Sequence, residues 1–214
     1  MPLLRQRVGN ILDDLPDNKD FNWVELVSKE LTTQMLATLF DFPFEDRHLL
    51  PYWSDVATTS ETVGIEVDMN QRQEVLQECL AYFSKLWYQR ATEPRKFDFI
   101  SMLAHGEETK DMINDPMEFL GNLILLIVGG NDTTRNSISA GVVELNRNPK
   151  EYKKLKGDSS LIPNMVSEII RYQTPLGHMR RTALEDVEFK GHKIRKGDKV
   201  VMWYVSGNRD EEVI

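Results

Sequence analysis

The 214 residues are 41% hydrophobic and carry a formal net charge of -8, with an isoelectric point near 5.1. A chain of this length can bury a substantial core, and we expect a single domain over residues 1–214. The acidic balance argues against a nucleic-acid-binding surface, which needs clustered Lys and Arg. The single cysteine, Cys79, excludes an intrachain disulfide and fits a reducing cytoplasm.

The N-terminal residues and the most apolar segment both argue against a membrane segment. Arg5 and Arg7 are not followed by an apolar stretch, so no signal peptide is predicted. The most apolar run, residues 119–128, is about half of the ~20 residues that a membrane-spanning helix needs. We expect this run to be a buried helix.

Hydrophobic spacing predicts a mainly α-helical chain. Helices are predicted at residues 22–40, 47–60, 70–90, 98–104 and 116–147, after Pro149, and at residues 161–172. Residues 105–115 are predicted to form a surface loop, with Asp115 as the cap of the long helix that follows. Beyond Gly177, short β-type segments separated by Gly191 and Gly197 predict a small sheet near the C-terminus.

The segment Gly129-Gly130-Asn131-Asp132-Thr133-Thr134 lies in the middle of the long predicted helix. Two glycines cost roughly 1 kcal/mol each there, and the polar side chains compete for backbone hydrogen bonds. We therefore expect a central helix that is kinked or widened at this point. Glycine lets a flat ligand approach the backbone, and a carboxylate beside a hydroxyl can relay protons. The alternative is that one helix ends here and another begins, with Asp132 or Thr133 as its N-cap.

A second motif is Glu168-Ile169-Ile170-Arg171, which places a carboxylate and a guanidinium three residues apart on one helical face. Alone, it is typical of a solvated ion pair that stabilises a helix by about 0.2–0.5 kcal/mol.

The two motifs in this order resemble the cytochrome P-450 superfamily. There the glycine-rich acid-threonine motif lies in the helix across the distal face of the haem, and a later Glu-x-x-Arg helix belongs to the structural core. Residues 176–183, 185–188 and 194–198 resemble the strands that follow that helix, and Asn208-Arg209-Asp210 matches a later stretch of the family. Residues 31–42, 125–136 and 173–183 resemble soluble bacterial medium-chain alkane hydroxylases. The resemblance implies a mainly α cytochrome P-450 fold, represented in part.

The resemblance also implies haem b as the cofactor, which would activate dioxygen and hydroxylate an apolar substrate, such as the terminal carbon of an alkane or fatty acid. Electrons would come from a ferredoxin and its reductase. Asp132 would deliver protons, and Thr133 would hold oxygen and a water molecule.

Further residues receive roles from the same resemblance. Arg181 would pair with a haem propionate, the alternative being an exposed strand arginine. His178 would be a second propionate contact or, equally well, a structural histidine beside a turn. The cofactor would also be bordered by Gly129 and Gly130. The remaining assignments are Glu168 and Arg171 in the structural core, and Leu126, Leu176 and Met179 around the substrate pocket.

The family's axial ligand is a cysteine thiolate. Cys79 lies in a predicted amphipathic helix with no glycine-rich loop before it, so we expect a packed core thiol. The resemblance therefore predicts an internal fragment without the N-terminal portion and the haem-cysteine region, which would be inactive alone. The four histidines show no metal-ligand spacing.

Two other interpretations remain open at this point. A non-catalytic helical binding or scaffold module would explain each motif singly but not their joint order. A class I terpene cyclase would use the Asp13-Asp14-Leu15-Pro16-Asp17 segment to bind magnesium, but Pro16 prevents these carboxylates from sharing one helical face.

Overall fold

A computed structural model describes residues 2–59 and 68–214. The chain divides into two compact units, residues 1–135 and 136–214, and each unit is described by itself. Among the described residues, no helix is long and apolar enough to cross a membrane.

The first unit is helical, as predicted. It contains α1 (Pro2–Asp13), a π-helical segment (Val24–Lys29) that continues into α2 (Glu30–Phe40), a 3-10 turn (Phe44–Asp46), α3 (Leu49–Thr58), α4 (Met69–Thr92), α5 (Phe99–His105) and a second 3-10 turn (Met112–Asn114). The start of the long helix α6 (Pro116–Arg147) also belongs to this unit. The predicted end of the second helix at Ser60 lies outside the described residues, and its predicted start at Arg47 was two residues too early.

Local capping explains where three of these helices begin. The Asp68 carboxylate accepts hydrogen bonds from the backbone N–H groups of the first turn of α4, at 2.9 and 3.3 Å. Asp98 caps α5 by accepting from Ser101 N at 2.8 Å. Asp115 accepts from the N–H groups of Met117 and Glu118, both at 3.1 Å, which confirms its predicted capping role. Such caps satisfy donors that otherwise have no intrahelical partner.

The core of the first unit is a cluster of aromatic and aliphatic side chains. Phe40 and Phe83 meet at a ring-centroid distance of 5.3 Å, and Trp87 and Phe119 meet at 5.0 Å, both edge to face. This geometry stabilises aromatic pairs by about 0.5–1.5 kcal/mol beyond the burial of their area. The core therefore joins α2 and α4 to the first turns of α6. Its buried members are Leu36, Ala37, Phe40, Phe42, Leu50, Trp53, Val75, Cys79, Phe83, Leu86, Trp87, Ile100, Phe119, Leu120, Leu123 and Ile127.

Helix α6 is continuous through the glycine-rich segment. The alternative of two helices that meet at Asp132 or Thr133 is therefore wrong, and no π-helical turn widens the segment. Thr133 Oγ1 donates to Gly129 O at 3.0 Å. A threonine that bonds back to the preceding turn often bends a helix slightly, and the expected kink of α6 stays a prediction.

The second unit contains the end of α6, α7 (Pro149–Gly157), a 3-10 turn (Ser159–Leu161), α8 (Ile162–Gln173), four strands and a short helix α9 (Tyr204–Gly207). The strands are β1 (His178–Thr182), β2 (Val187–Phe189), β3 (His192–Ile194) and β4 (Lys199–Trp203).

These strands form two antiparallel pairs, where the sequence predicted one small sheet. β1 pairs with β4 so that His178 lies opposite Trp203, and β2 pairs with β3 so that Val187 lies opposite Ile194. The β2–β3 connection is a two-residue turn in which Lys190 and Gly191 both have positive φ, 49° and 78°. That conformation matches the twist of a hairpin and explains the glycine.

Candidate active site

The predicted catalytic pair, Asp132 and Thr133, lies on α6 within the first unit. The Asp132 side chain is 26% exposed. Its Oδ1 atom accepts a hydrogen bond from Arg135 Nη2 at 2.7 Å and from Asn131 Nδ2 at 3.3 Å. Thr133 is half-buried, and its hydroxyl donates to Gly129 O. The structure therefore holds a carboxylate and a hydroxyl at adjacent positions of one helix.

Burial raises the pKa of the Asp132 carboxyl above its ordinary value. The Arg135 guanidinium opposes this increase, and the Asp55 carboxylate of α3 adds to it. A carboxyl group with a raised pKa can hold a proton and release it nearer to neutral pH, which is the property that a general acid needs.

The two glycines of the motif have different surroundings. A Cβ atom added to Gly129 would meet nothing within 4 Å, whereas one added to Gly130 would lie 2.8 Å from Leu36 Cδ2 of α2. Leu36 is 1% exposed, so it belongs to the core and cannot move into solvent. Both glycines are exposed, but only at Gly129 is the position of an added Cβ open; at Gly130 the lack of a side chain allows α2 to pack closely on α6.

Asn131 is fully buried, and sequence reasoning gave it no role in this site. Its Oδ1 atom lies 3.1 Å from Thr32 Oγ1 of α2, which donates to it, and its Nδ2 atom faces Asp132. Arg135 and Asp55 were also missed. The signal for Arg135 was its position one helical turn after Asp132, but neither Thr32 nor Asp55 has any local signal, because both come from distant parts of the chain.

Glu168 and Arg171 form a two-pronged ion pair on α8 in the second unit. Arg171 Nε and Nη2 donate to the two Glu168 oxygens, both at 2.7 Å. Hydrogen bonding by Arg171 lowers the pKa of the Glu168 carboxyl. Arg171 Nη1 also donates to the backbone oxygen of Asn208. The pair therefore links α8 to the segment after β4, which is more than a surface ion pair does.

The predicted propionate contacts, Arg181 and His178, lie on β1 and are exposed. Arg181 donates to Arg180 O at 3.0 Å, and no carboxylate among the described residues pairs with it. The His178 ring packs on Trp203, with 4.9 Å between centroids. Of the predicted pocket residues, Leu126 and Met179 are half-buried and Leu176 is exposed.

The predicted site residues thus fall into two groups, one in each unit. A cavity of 560 Å³ in the second unit is lined by the end of α6, by α7 and by α8. Its lining includes Glu168 and Tyr172 but neither Asp132 nor Thr133. Its lining also contains none of Leu126, Leu176 and Met179, so this cavity is not the predicted substrate pocket.

Several features fit a haem group, although Cys79 does not fit as its ligand. The exposed Arg181 guanidinium suits a carboxylate, and the open face of Gly129 suits a flat ring. Cys79 is fully buried, and burial raises the pKa of its thiol to about 12, so it is the packed thiol that the sequence predicts.

The terpene cyclase interpretation gains no support, because Asp13 ends α1 and no cluster of His, Cys, Asp or Glu in the described ranges could hold a metal ion.

Comparisons with known proteins identify the family. The cytochrome P450 family model matches residues 18–213, and the chain belongs to this family. Its members are haem-thiolate enzymes that use haem b. The family resemblance, the mainly α fold with small antiparallel sheets, and the expected cofactor are confirmed.

Individual relatives support the same assignment. The chain is 34% identical over 210 residues to linalool 8-monooxygenase of Pseudomonas putida, covering 98% of this chain and 51% of the relative. It is similar to the structure of CYP153D17 from Sphingomonas sp. PAMC 26605, with 52% identity, a TM-score of 0.90, and coverage of 100% of this chain and 53% of that one. It is also similar to cytochrome P450-153 from Novosphingobium aromaticivorans, with 47% identity, a TM-score of 0.88, and coverage of 99% and 51%. The chain spans about half the length of the curated relatives it matches.

Proposed function

We propose that these residues are part of a cytoplasmic, single-domain, haem-dependent monooxygenase that hydroxylates an apolar substrate, most specifically the terminal carbon of a medium-chain alkane or fatty acid. Dioxygen is the co-substrate, and a ferredoxin with its reductase supplies the electrons. The observation that carries the proposal is the Asp132–Thr133 pair on an unbroken α6, where burial raises the pKa of the carboxyl.

In this proposal Asp132 and Thr133 are catalytic residues with separate tasks. Asp132 holds a proton on its carboxyl group and passes it, through a water molecule, toward the reacting oxygen. Thr133 orients that water with its hydroxyl. A positioned acid of this kind typically accelerates a reaction by about 10²–10⁴-fold. Haem, when bound, supplies the activation of dioxygen and the oxygenation of a C–H bond.

Several residues of this chain are proposed to contact the cofactor. Arg181 is proposed to bind a propionate through its guanidinium, with His178 as a second contact, and Gly129 to border the ring with its bare backbone. Gly130, which is also exposed, is proposed to border the cofactor as well, and its lack of a side chain lets Leu36 of α2 pack closely against α6.

The core and substrate assignments complete the site. Glu168 and Arg171 are proposed to hold the segment around Asn208 in place. Leu126, Leu176 and Met179 are proposed to line an apolar substrate pocket. The similarity to cytochrome P450-153 structures and the motif resemblance to alkane hydroxylases support a linear apolar substrate. An apolar wall distinguishes one methylene by only about 1–3 kcal/mol, so we expect a range of chain lengths to be accepted.

Product analysis tests this function. The full-length protein would be incubated with ferredoxin, its reductase, a reduced nicotinamide cofactor and linear alkanes of graded length under ¹⁸O-labelled dioxygen. We expect terminal alcohols that carry the label, and strongly reduced yields from the Asp132→Asn and Thr133→Ala variants. Subterminal alcohols alone would contradict the terminal specificity. If no alkane, fatty acid or terpenoid were oxygenated by a haem-loaded protein, the monooxygenase assignment itself would be wrong.

A further inference from the structure

Among the described residues, hydrogen-bond donors contact only one of the two oxygens of the Asp132 carboxylate. Both the Arg135 guanidinium and the Asn131 amide donate to Oδ1, at 2.7 and 3.3 Å. The second oxygen, Oδ2, is therefore the better candidate to carry a proton, because a proton on Oδ1 would compete with two donors.

Arg135 lies between two carboxylates. Its Nη2 atom is 2.7 Å from Asp132 Oδ1 and 3.6 Å from Asp55 Oδ1 of α3. The Arg135 side chain is 19% exposed and the Asp55 side chain 50% exposed. The closer and more buried partner, Asp132, thus has the stronger interaction, whereas water screens the interaction with Asp55.

The Asn131 amide contacts a partner from another helix. Thr32 Oγ1 lies 3.1 Å from Asn131 Oδ1, and both side chains are buried; the same hydroxyl also lies 3.1 Å from the backbone oxygens of Ser28 and Lys29. A carboxylate can only accept hydrogen bonds, so the amide nitrogen must face Asp132 while its oxygen receives the Thr32 hydroxyl. Asp132 is therefore held from two directions by groups that packing keeps in place.

We propose that Arg135 is a positioning residue for Asp132: it fixes Oδ1, leaves Oδ2 to carry the transferable proton, and, together with Asp55, sets how readily that proton leaves. The inference rests on the proposed function, in which Asp132 is the proton donor.

The charges around Asp132 support this role. Among the described residues, the charged groups that act on its carboxyl are Arg135 of its own helix and Asp55 of α3, while α2 contributes the neutral Thr32 side chain through Asn131. Burial raises the Asp132 pKa, Arg135 lowers it, and Asp55 raises it. Removal of Arg135 should consequently raise the Asp132 pKa further, and neutralisation of Asp55 should lower it.

The test measures the protonation of Asp132 directly in the full-length, haem-loaded ferric protein, without turnover. The infrared carbonyl band of protonated Asp132, identified by its loss in Asp132→Asn, would be followed as a function of pH. We expect Arg135→Met to raise the midpoint by about one pH unit or more, since an opposite charge at this distance typically lowers a carboxyl pKa by about 1–3 units. Asp55→Asn should lower it by a smaller amount.

Matched controls change the same charges elsewhere on the protein. Arg147→Met removes a cation that is 70% exposed on the same helix, and Glu107→Gln removes an anion that is 89% exposed; neither should move the midpoint. Arg135→Lys keeps the charge and should keep the midpoint near the parent value. If Arg135→Met does not fold, Asp55→Asn, which changes a half-exposed side chain, still tests the proposal by its expected downward shift. Unchanged midpoints in Arg135→Met and Asp55→Asn, or shifts in the same direction in both, would overturn the proposal.

Turnover separates this inference from the proposed function. We expect the pH profile of product formation to move in the same direction as each midpoint. If the midpoints shift as expected but the parent protein forms no product, the proposed function fails and the positioning role of Arg135 stands. If the parent protein forms product and the titration midpoint of Asp132 is the same in Arg135→Met as in the parent, only the positioning role of Arg135 fails.

Discussion

Gly129 and Gly130 are adjacent in sequence, yet replacement by alanine should affect the stability of the protein differently at the two positions. Both substitutions gain about 1 kcal/mol from helix propensity, because alanine favours the helix interior. The new methyl group at position 129 meets open space, whereas at position 130 it lies 2.8 Å from Leu36 Cδ2. Leu36 is buried in the core and must repack, which typically costs about 1–3 kcal/mol.

Since the propensity gain is common to both variants, the difference between them isolates the cost of the contact with Leu36. Gly130→Ala should therefore be about 1–3 kcal/mol less stable than Gly129→Ala. Urea denaturation of the full-length protein, followed by far-ultraviolet circular dichroism, would measure the free energies of unfolding. Haem content would be measured in parallel, so that weaker cofactor binding by Gly129→Ala is recognised. Equal stabilities, with equal haem content, would refute the close packing of α2 on α6 at Gly130.

Three further outcomes are expected. Arg90→Met should lower the free energy of unfolding, measured by urea denaturation, by about 1.5–3 kcal/mol. The buried Arg90 guanidinium donates hydrogen bonds to the carboxylate and to the carbonyl oxygen of Asp41, at 2.6 and 3.1 Å, and the variant loses both. The exposed Arg147→Met should change stability by no more than about 0.5 kcal/mol, and equal effects would contradict the importance of burial. Cys79 should resist alkylation by iodoacetamide at pH 8 until the protein is unfolded, because burial raises the pKa of its thiol to about 12 and keeps the thiol protonated. Rapid labelling of the folded protein would contradict this. Glu168→Gln should lower the ratio of haem to protein, since it weakens the ion pair that holds Arg171; an unchanged ratio would argue for a surface role.

The helices were largely predictable from the sequence because their signals are local. Asp115 and Pro116 mark the start of α6, and the capping carboxylate of Asp115 is confirmed by its hydrogen bonds to the first turn. The continuity of α6 through Gly129 and Gly130 follows from packing, since the buried side chains before the glycines and the contact with Leu36 outweigh the cost in helix propensity.

The features that were not predictable depend on residues far apart in sequence. β1 pairs with β4 and not with β2, which is nearer in sequence. The strands therefore form two pairs and not the single sheet that was expected. Likewise, Asp132 was identified by its motif, but its surroundings depend on Thr32 and Asp55, which come from α2 and α3. A single sequence carries no record of such contacts.

If these residues form part of a haem-thiolate enzyme, the carbon monoxide difference spectrum of the reduced full-length protein will show it. A thiolate ligand pushes electron density onto the iron and displaces the absorption band of the carbon monoxide complex to longer wavelength than a histidine ligand does. We expect the displaced band in the parent protein and in Cys79→Ala, because Cys79 is a core thiol. Absence of that band from a folded, haem-supplied parent protein would contradict thiolate ligation. Its loss in a folded Cys79→Ala variant would contradict the role of Cys79 as a core thiol.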